Sequence, residues 1–415
     1  AETDPGVAGV IIPGAVKSLP IALTTYGPDG AWPEGPSYWD YATSYAVFAL
    51  AALESALGTD YGLSSIEGLA KTGNFPLLTT GPTGLYLNFA DSGERNERRS
   101  VPCLFWLSRR YGNDFLSDQE HAMVRRHGPD PLHLVWYVPD SQRTGSVREP
   151  DSHFRGPTEV AVFRSSWDSP EALFVGVKAG DNTFNHAHLD LGTFELDALG
   201  VRWARDLGSD NYAMAGYFDF YYLTQKTGGE RWSYYRMGST SHNVPLINGE
   251  NQNELATAKF SSFVSGPSHG HVVIDLHKAY DSHASRVQRG IAMIDNRRAV
   301  LVQDEFDLIA TAGLAWNMMT DADITLDGNR AVLRQNGKTL SAEILAPAGA
   351  SFSVESAGQK PPQALNKGVN RLMVRLPDRT GAQRIAVLLA PHWENGPLKP
   401  NVSVIPLASW GDGGP

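Results

Sequence analysis

The spacing of hydrophobic and polar positions changes near residue 159 and divides the chain into two kinds of structure. Before this point, the stretch from Ser37 to Leu57 is rich in alanine, leucine and tyrosine and stops at Gly58. Glycine commonly follows the last residue of a helix, so this stretch predicts a helix. Residues 101–111 predict a second helix. The sequence Ser117-Asp118-Gln119-Glu120 predicts a capping box that opens a third, ending near Gly128.

From Glu159 onward the pattern becomes one of short runs rich in β-forming residues. They are Val160–Arg164, Ala172–Val177, Ala299–Gln303 and Arg384–Leu389. Turn residues separate them at intervals typical of a β-sandwich. Residues 139–158 are polar and contain glycine and proline, which predicts a linker. We therefore predict an α+β multidomain protein with a helical domain over 1–138, a linker over 139–158 and a large antiparallel β-sandwich over 159–415.

Composition narrows the classes of function. A chain of 415 residues exceeds one ordinary core, and its net charge of −10 with no basic block argues against general nucleic-acid binding. An anionic substrate stays compatible, because local arginines can reverse the field inside a cleft. No apolar run reaches 18 residues and residues 1–20 lack a signal-peptide pattern, so no membrane span is expected. The single cysteine, Cys103, lies in an apolar run and predicts a buried thiol.

The candidate chemistry centres on four residues: His186, His188, Asp206 and His242. Imidazole nitrogens and a carboxylate are ligands that a zinc-like ion takes where thiolates are lacking. Residues 193–198 and 201–206 predict a hairpin around Leu199-Gly200. Pairing residue 198 with 201 places Asp206 opposite Thr193, close to the histidine pair. If the chain is extended there, both histidines share one face.

Two other interpretations of the histidine pair stay open. Both histidines could instead be catalytic or bind substrate directly. The spacing from Gly180 to His186-Ala187-His188 also matches the opening of a cupin motif, but the following glutamate, Glu195, lies further on than that motif requires.

These segments resemble the heparinase II/III family of polysaccharide lyases. The resemblance lies in residues 186–194, in Gly200 to Gly208 and in residues 241–249. It extends upstream to residues 29–41, which are similar to a Glu-Gly-Pro/Tyr segment of the family's helical domain. It implies a partial α/α toroid followed by an antiparallel β-sandwich, with the site in the cleft between them. A further family segment, an Asn or His from an earlier helix, has no match before residue 29.

Residue by residue, the resemblance implies a zinc site of His188, Asp206 and His242, with His186 facing the substrate. It implies Tyr38 as the catalytic tyrosine, with Tyr221 and Tyr222 as alternatives from the sandwich. Trp39, Glu34, Arg236 and Arg205 are the implied substrate-binding residues. The zinc would organise the loops beneath the site.

The implied reaction is β-elimination at a 4-O-glycosidic bond to a uronic acid, on a heparan-type or alginate-type polysaccharide. The partners expected are this acidic polysaccharide and either an upstream helical fragment or a second copy of the chain. The location expected is periplasmic or secreted. A non-catalytic carbohydrate-binding fragment stays open as an alternative. So does a glycoside hydrolase, which would need two carboxylates such as Glu34 and Asp40.

Overall fold

The computed structural model describes residues 3–93, 97–140, 149–394, 400, 402–411 and 414–415. Most of its α-helices precede the strands. They are α1 (Pro5–Leu23), α2 (Pro36–Leu57), α3 (Leu69–Thr72), α4 (Asn74–Leu78), α5 (Cys103–Tyr111), α6 (Asp114–His127), α7 (Pro131–Val135) and α8 (Tyr221–Thr224). Short 3-10 helices cover Thr24–Tyr26, Leu63–Ser65, Glu230–Ser233, Ser239–Ser241, His277–Ala279 and Leu407–Ser409.

All three predicted helices end where the sequence indicates. Helix α2 has proline at its first position, where a missing N–H costs nothing, and ends at Gly58 in the left-handed conformation. The predicted capping box is wrong. Helix α6 begins three residues earlier, at Asp114, so Ser117 lies inside it. Glu120 instead accepts hydrogen bonds from the Val101 amide and the Ser100 hydroxyl, which joins α6 to the start of α5.

The remaining chain forms one connected antiparallel sheet system. Its strands are β1 (Ser152–Phe154), β2 (Thr158–Arg164), β3 (Phe174–Asp181), β4 (Phe194–Ala198), β5 (Val201–Ala204), β6 (Leu246–Ile247), β7 (Thr257–Ser265), β8 (Gly270–Asp275), β9 (Ala284–Ile294), β10 (Ala299–Thr320), β11 (Asp323–Asp327), β12 (Arg330–Gln335), β13 (Lys338–Ala346), β14 (Phe352–Ser356) and β15 (Asn370–Pro391). The strand order is β1-β2-β3-β7-β8-β9-β10-β15-β13-β12-β11, with β4, β5, β6 and β14 paired beside this path.

Two 22-residue strands, β10 and β15, connect the parts of the sheet system. The first half of β10 pairs with β9, and Leu314 and Ala315 in its second half pair with β6. Strand β15 pairs with β14 at one end and with β13 at the other. The ladder between them shifts register twice between Leu308 and Leu314. Such bulges bend a strand, so the pair of β10 and β15 can extend into both ends of the sheet system. The predicted architecture of helices followed by a β-sandwich is confirmed.

The helical part packs directly on the sheet. Along β2, Val160 and Val162 belong to the apolar cluster of the helices, whereas Ala161 and Phe163 belong to the cluster inside the sandwich. Strand side chains alternate between faces, so β2 is buried on both. The first strand, β1, lies within the predicted linker and pairs with β2, so sandwich structure begins before residue 159. Residues 141–148 of that linker lie outside the described residues.

The first helix is mostly exposed. In the described part of the chain, Pro5–Tyr26 is one helical segment long and apolar enough to cross a membrane by length and composition, and 6% of its apolar window is buried. A signal sequence near an N-terminus passes the same test. The residue pattern predicts no such span because Lys17 and Ser18 interrupt the apolar run. Averaged over 18 residues, the segment is nevertheless apolar.

Candidate active site and metal centre

A cavity of about 520 Å³ lies where helix α2 faces the sandwich. Three segments line it: Ser37, Tyr38, Asp40 and Tyr41 from α2; Tyr86, Asp91, Gly93, Glu97 and Arg99 from the chain before α5; and Ser209, Asp210 and Tyr212 from the loop after β5. We call it the cleft. Its α2 residues form the helical wall, and the loop after β5, with the histidine turn behind it, forms the β wall.

Tyr38 lies in the helical wall with its hydroxyl 2.6 Å from the hydroxyl of Tyr212. Its ring stacks on that of His186, with centroids 5.5 Å apart. Burial raises the pKa of Tyr38, and the carboxylates of Asp91 and Glu34 add to this, against the hydrogen bond from Tyr212. Tyr38 is therefore protonated at neutral pH and can donate a proton. Tyr38 thus lines the cleft, and its catalytic role stays a prediction.

His186 lies in a turn and not in an extended segment, so the predicted shared face of the two histidines is wrong. Its φ is 57°, in the left-handed region that costs a non-glycine residue energy. Its Nδ1 is 2.7 Å from Oδ2 of Asp91, so in the neutral imidazole this contact places the proton on Nδ1 and leaves Nε2 as an acceptor. The imidazole lies behind the rings of Tyr38 and Tyr212.

The central residue of the site is Asp91, which the sequence interpretation missed. One oxygen accepts from His186. The other accepts from His188 Nε2 at 2.9 Å, Arg231 at 2.8 Å and the Tyr217 hydroxyl at 2.7 Å. Burial alone would raise the pKa of this carboxyl, but the two histidines and Arg231 outweigh it and hold the pKa far below its usual range. One carboxylate thus orients both histidines of the motif.

Asp91 reaches the histidine turn because its segment is fastened to the β4–β5 hairpin. Buried Arg202 bonds Glu195 and Asp197 in this hairpin and also the Tyr86 carbonyl. The Asn88 amide donates to Glu195, and the Asp91 amide donates to the His186 carbonyl. The polar run Asp91-Ser92-Gly93 after an apolar stretch was the available sequence signal.

The three predicted metal ligands meet in the structure. One ligand atom from each of His188, Asp206 and His242 lies within 4.8 Å of the others, and all three residues are buried. Ala198 pairs with Val201 as predicted, but a bulge shifts the register beyond Asp197, so Leu196 faces Ala204. Asp206 still reaches the site, since its amide bonds the Glu195 carboxylate.

Two buried imidazole nitrogens make this cluster fit a metal ion. His188 Nδ1 and His242 Nε2 have no hydrogen-bond partner among the described residues. Their other nitrogens face carboxylates, His188 at Asp91 and His242 at Asp206 (2.6 Å). A carboxylate behind a ligating histidine fixes its tautomer and leaves the opposite nitrogen free to coordinate. Unsatisfied buried nitrogens are costly, and a divalent cation would satisfy both.

Two buried ion pairs hold the β wall together. Arg289 pairs with Asp304 and also donates to the carbonyls of Gly192 and Asn243, which joins the two histidine-bearing segments. Lys178 pairs with Asp190, two residues after His188. Removing one partner of such a pair leaves an uncompensated buried charge, so these contacts strongly favour one arrangement.

Several predicted substrate-binding residues do not face the cleft. Trp39 is fully buried and donates its indole N–H to Thr72, so the structure contradicts stacking on a sugar. Arg205 is buried against Asp321, and Arg236 donates to Asn366 and to the Leu207 carbonyl. Both arginines bond residues of neighbouring loops. Their closeness to the site in sequence therefore does not place their side chains in the cleft.

Two other predicted residues lie near the cleft without lining it. Glu34 is half-buried and accepts hydrogen bonds from Asn185 and Trp32. Tyr222 is exposed and its ring stacks with that of Phe184. The tyrosine that the β part contributes to the cleft is Tyr212, ten residues earlier.

The cleft holds one arginine that the sequence interpretation did not single out. Arg99 is exposed and lines the cavity, and its guanidinium makes no hydrogen bond or ion pair within the described residues. Its charge acts on Asp40, where burial nevertheless raises the carboxyl pKa. The carboxylates of Asp40, Asp91, Glu97 and Asp210 also line the cleft, so among its described lining residues the Arg99 guanidinium is the place for an anionic group.

Comparisons with solved structures agree with this fold. The chain superimposes with a TM-score of 0.70 and 18% identity on a heparan sulfate lyase mutant from Pedobacter heparinus, covering 91% of this chain and 55% of that one. For a heparinase III structure the values are 0.71 and 15%, covering 93% and 59%. The chain thus spans little more than half the length of these proteins. No curated protein sequence matches it.

The family comparison covers the part of the chain that carries the histidines. Residues 160–376, just over half of the chain, match the family model described as heparinase II/III-like, C-terminal. This range includes His186, His188, Asp206 and His242. The chain therefore belongs to the heparinase II/III-like family.

Proposed function

We propose that this chain forms the cleft of a polysaccharide lyase that cleaves 4-O-glycosidic bonds to uronic acids by β-elimination. The observation that carries the proposal is the placement of the Tyr38 hydroxyl against the imidazole of His186 and the hydroxyl of Tyr212, in a cleft that also holds Arg99. The solved structures of similar fold are described as heparinases and heparan sulfate lyases. Membership of the family supports the same class of reaction.

In the proposed reaction, a base removes the C5 proton of the uronate, the electrons form the C4–C5 double bond and the C4–O bond breaks. The departing oxygen takes a proton. His186 Nε2 is the base, because Asp91 occupies Nδ1 and leaves Nε2 as the acceptor. Tyr38 is the acid, since burial raises its pKa and keeps its proton in place.

The uronate carboxylate must be neutralised while negative charge develops at C5. Arg99 is the group proposed for this, because its guanidinium lines the cleft and pairs with no carboxylate among the described residues. Tyr212 is a positioning residue that orients the Tyr38 hydroxyl. Tyr222 has no part in this proposal, because its ring stacks with that of Phe184, outside the group of Tyr38, His186 and Tyr212.

A zinc ion is proposed at His188, Asp206 and His242. The two unpartnered buried nitrogens and the carboxylate are the donor set that supports it. When bound, the ion would cross-link the turn after β3, the segment after β5 and the turn before β6. It would thereby hold His186, two residues from His188, in its strained backbone conformation.

The proposed substrate is an acidic polysaccharide of the heparan or alginate type, and the proposed location is periplasmic or secreted. The cleft supports a uronate polymer through Arg99, but the lining residues do not distinguish between these polymers. An upstream helical fragment or a second copy of the chain is the proposed protein partner. A panel of uronate polysaccharides, with products separated by size, tests the substrate class.

The test of the function is Tyr38→Phe, assayed by the ultraviolet absorbance of 4,5-unsaturated uronate products. Removing the hydroxyl should lower kcat by at least about 100-fold, the usual contribution of a general acid. Tyr45→Phe is the matched control, since Tyr45 lies on the same helix, exposed and outside the cleft. Unchanged turnover in Tyr38→Phe would remove Tyr38 from the reaction. A hydrated reducing sugar as product, without the absorbance, would replace elimination by hydrolysis.

A further inference from the structure

A second cavity, of about 580 Å³, lies on the sandwich and shares no lining residue with the cleft. We call it the sandwich groove. Its wall contains Asn317 from β10 and Arg371, Met373 and Arg375 from β15. The chain turn at Asn248 and the glycine at position 313 close one end of it, where the Asn248 side chain accepts from the Gly313 amide.

The groove arises from the bending of the two long strands. The register between β10 and β15 shifts at Ala312 and again before Leu314, and β6 pairs with β10 directly beyond the shift. Bulges splay neighbouring strands and redirect their side chains. The groove is thus a consequence of the same bend that connects the two ends of the sheet.

Strand register brings its polar groups together. Asn317 faces Met373, so Arg371 and Arg375 are its diagonal neighbours on either side. Diagonal cross-strand side chains lie about 7–8 Å apart, within reach of a long side chain or of one small ligand. Asn317 is fully buried, and neither its amide oxygen nor its amide nitrogen has a hydrogen-bond partner among the described residues.

A buried amide without hydrogen-bond partners destabilises the folded protein. A ligand that forms hydrogen bonds with the amide removes this destabilisation. Glu355 bonds both arginines, which orients the guanidinium groups without cancelling their combined charge. Two guanidinium groups and one carboxylate leave a net charge of +1. A guanidinium has five N–H donors, so each arginine keeps donors available for an oxyanion.

We propose that the sandwich groove is a second binding site, for an acidic saccharide unit. Its carboxylate or sulfate oxygens are held by Arg371 and Arg375, and a sugar hydroxyl is held by the Asn317 amide. Ala315 and Pro377, which also line the groove and are not buried, provide apolar atoms against the C–H face of the ring. The identification of the ligand as a saccharide rests on the proposed function. The binding of an oxyanion rests on the residues of the groove alone.

Met373 provides a local reporter for the test, because its methyl group lies in the groove wall and the chain has 7 methionines. The intact chain is labelled with methyl-13C methionine, and Met373→Leu identifies the signal. Glucuronate should shift the Met373 signal saturably and glucose should not. Arg375→Ala should weaken glucuronate binding about tenfold, the loss of one charge-assisted hydrogen bond. Arg334→Ala, an exposed arginine elsewhere on the sandwich, should leave it unchanged.

Inorganic sulfate distinguishes the two oxyanions. A Met373 shift that sulfate causes and Arg375→Ala weakens identifies a sulfate ester as the bound group, and the same behaviour with glucuronate identifies a carboxylate. A Met373 signal that neither anion moves, or an affinity that Arg375→Ala leaves intact, overturns the proposal. Tyr38→Phe should leave the ligand-induced shift of the Met373 signal unchanged. The lyase assignment and the binding site in the sandwich groove can therefore fail independently of each other.

Discussion

The helical wall and the β wall of the cleft hold their functional side chains with very different numbers of contacts. Tyr38 is half-buried and its hydroxyl bonds one group, Tyr212. On the β side, Asp91 accepts four hydrogen bonds and is fully enclosed, together with His188 and Arg231. The acid is therefore free to meet substrate, while the histidines are fixed before substrate arrives. Asp91 precedes the sandwich in sequence, so the rigid wall depends on the helical part.

The largest effect is expected from Asp91→Asn. The amide cannot accept from four donors, and Arg231 is left buried without its counter-charge. Breaking a buried pair costs roughly 3–5 kcal/mol, so the free energy of unfolding in urea should fall by this amount and turnover should be lost. Asp281→Asn, at an exposed position, is the control. If Asp91→Asn and the control have the same free energy of unfolding, the stability of the β wall does not depend on the helical part.

The next effect is expected from His242→Ala. It removes one proposed zinc ligand, and the cavity left by a buried side chain costs on the order of 2–5 kcal/mol. Elemental analysis of the purified protein should show less bound zinc, with the unfolding midpoint lowered. His153→Ala, at a half-buried histidine paired with Glu159, should keep the metal. A reconstituted wild type without zinc would contradict the metal assignment and leave the contacts with Asp91 and Asp206 to orient the histidines.

A smaller effect is expected from Tyr212→Phe. The variant keeps the ring and removes the hydroxyl that bonds Tyr38. One neutral hydrogen bond contributes about 1 kcal/mol, so kcat should fall about fivefold while KM stays close to that of the wild type. Steady-state kinetics beside Tyr38→Phe measure the difference. An equal loss in both variants would make Tyr212 a proton donor as well, and the β wall would then hold part of the chemistry.

The smallest effect concerns Asp29, which joins the helical part to the sandwich outside the cleft. It pairs with Lys71 and with Arg155, both exposed. Burial would raise its pKa, but these partners outweigh it and hold the pKa below the ordinary value. Asp29→Asn should cost about 1 kcal/mol at neutral pH, because exposed ion pairs contribute little.

The pH dependence of that cost has a definite sign. A carboxyl whose pKa is lower in the folded state contributes stability above its unfolded pKa, near 4, and loses it as pH falls toward the folded pKa. The stability difference between wild type and Asp29→Asn should therefore shrink below about pH 4 in urea unfolding. High salt should shrink it as well. A difference that is constant over this range would show that the ion pairs do not stabilise the contact.

Local patterns were enough for part of the fold and part of the site. Helix α2 and its end at Gly58 follow from composition and a glycine, and the pairing of Ala198 with Val201 follows from a two-residue turn. The start of α6 was missed because a capping signature inside a helix looks the same as one at its end. Trp39 was placed in the cleft because nothing in one sequence distinguishes a core tryptophan from one that binds sugar.

By itself, the sequence determined the order of helices before sandwich, the histidines, aspartate and tyrosine available for chemistry, and the family to which they belong. Only the tertiary structure decided how they are arranged. Asp91 lies 95 residues before His186, in a segment without periodic pattern, and reaches it through Arg202 and the hairpin. The sandwich groove likewise depends on register and bulges between strands distant in sequence. Contacts of this kind form when segments distant in sequence pack together. The local spacing of residues does not determine that packing.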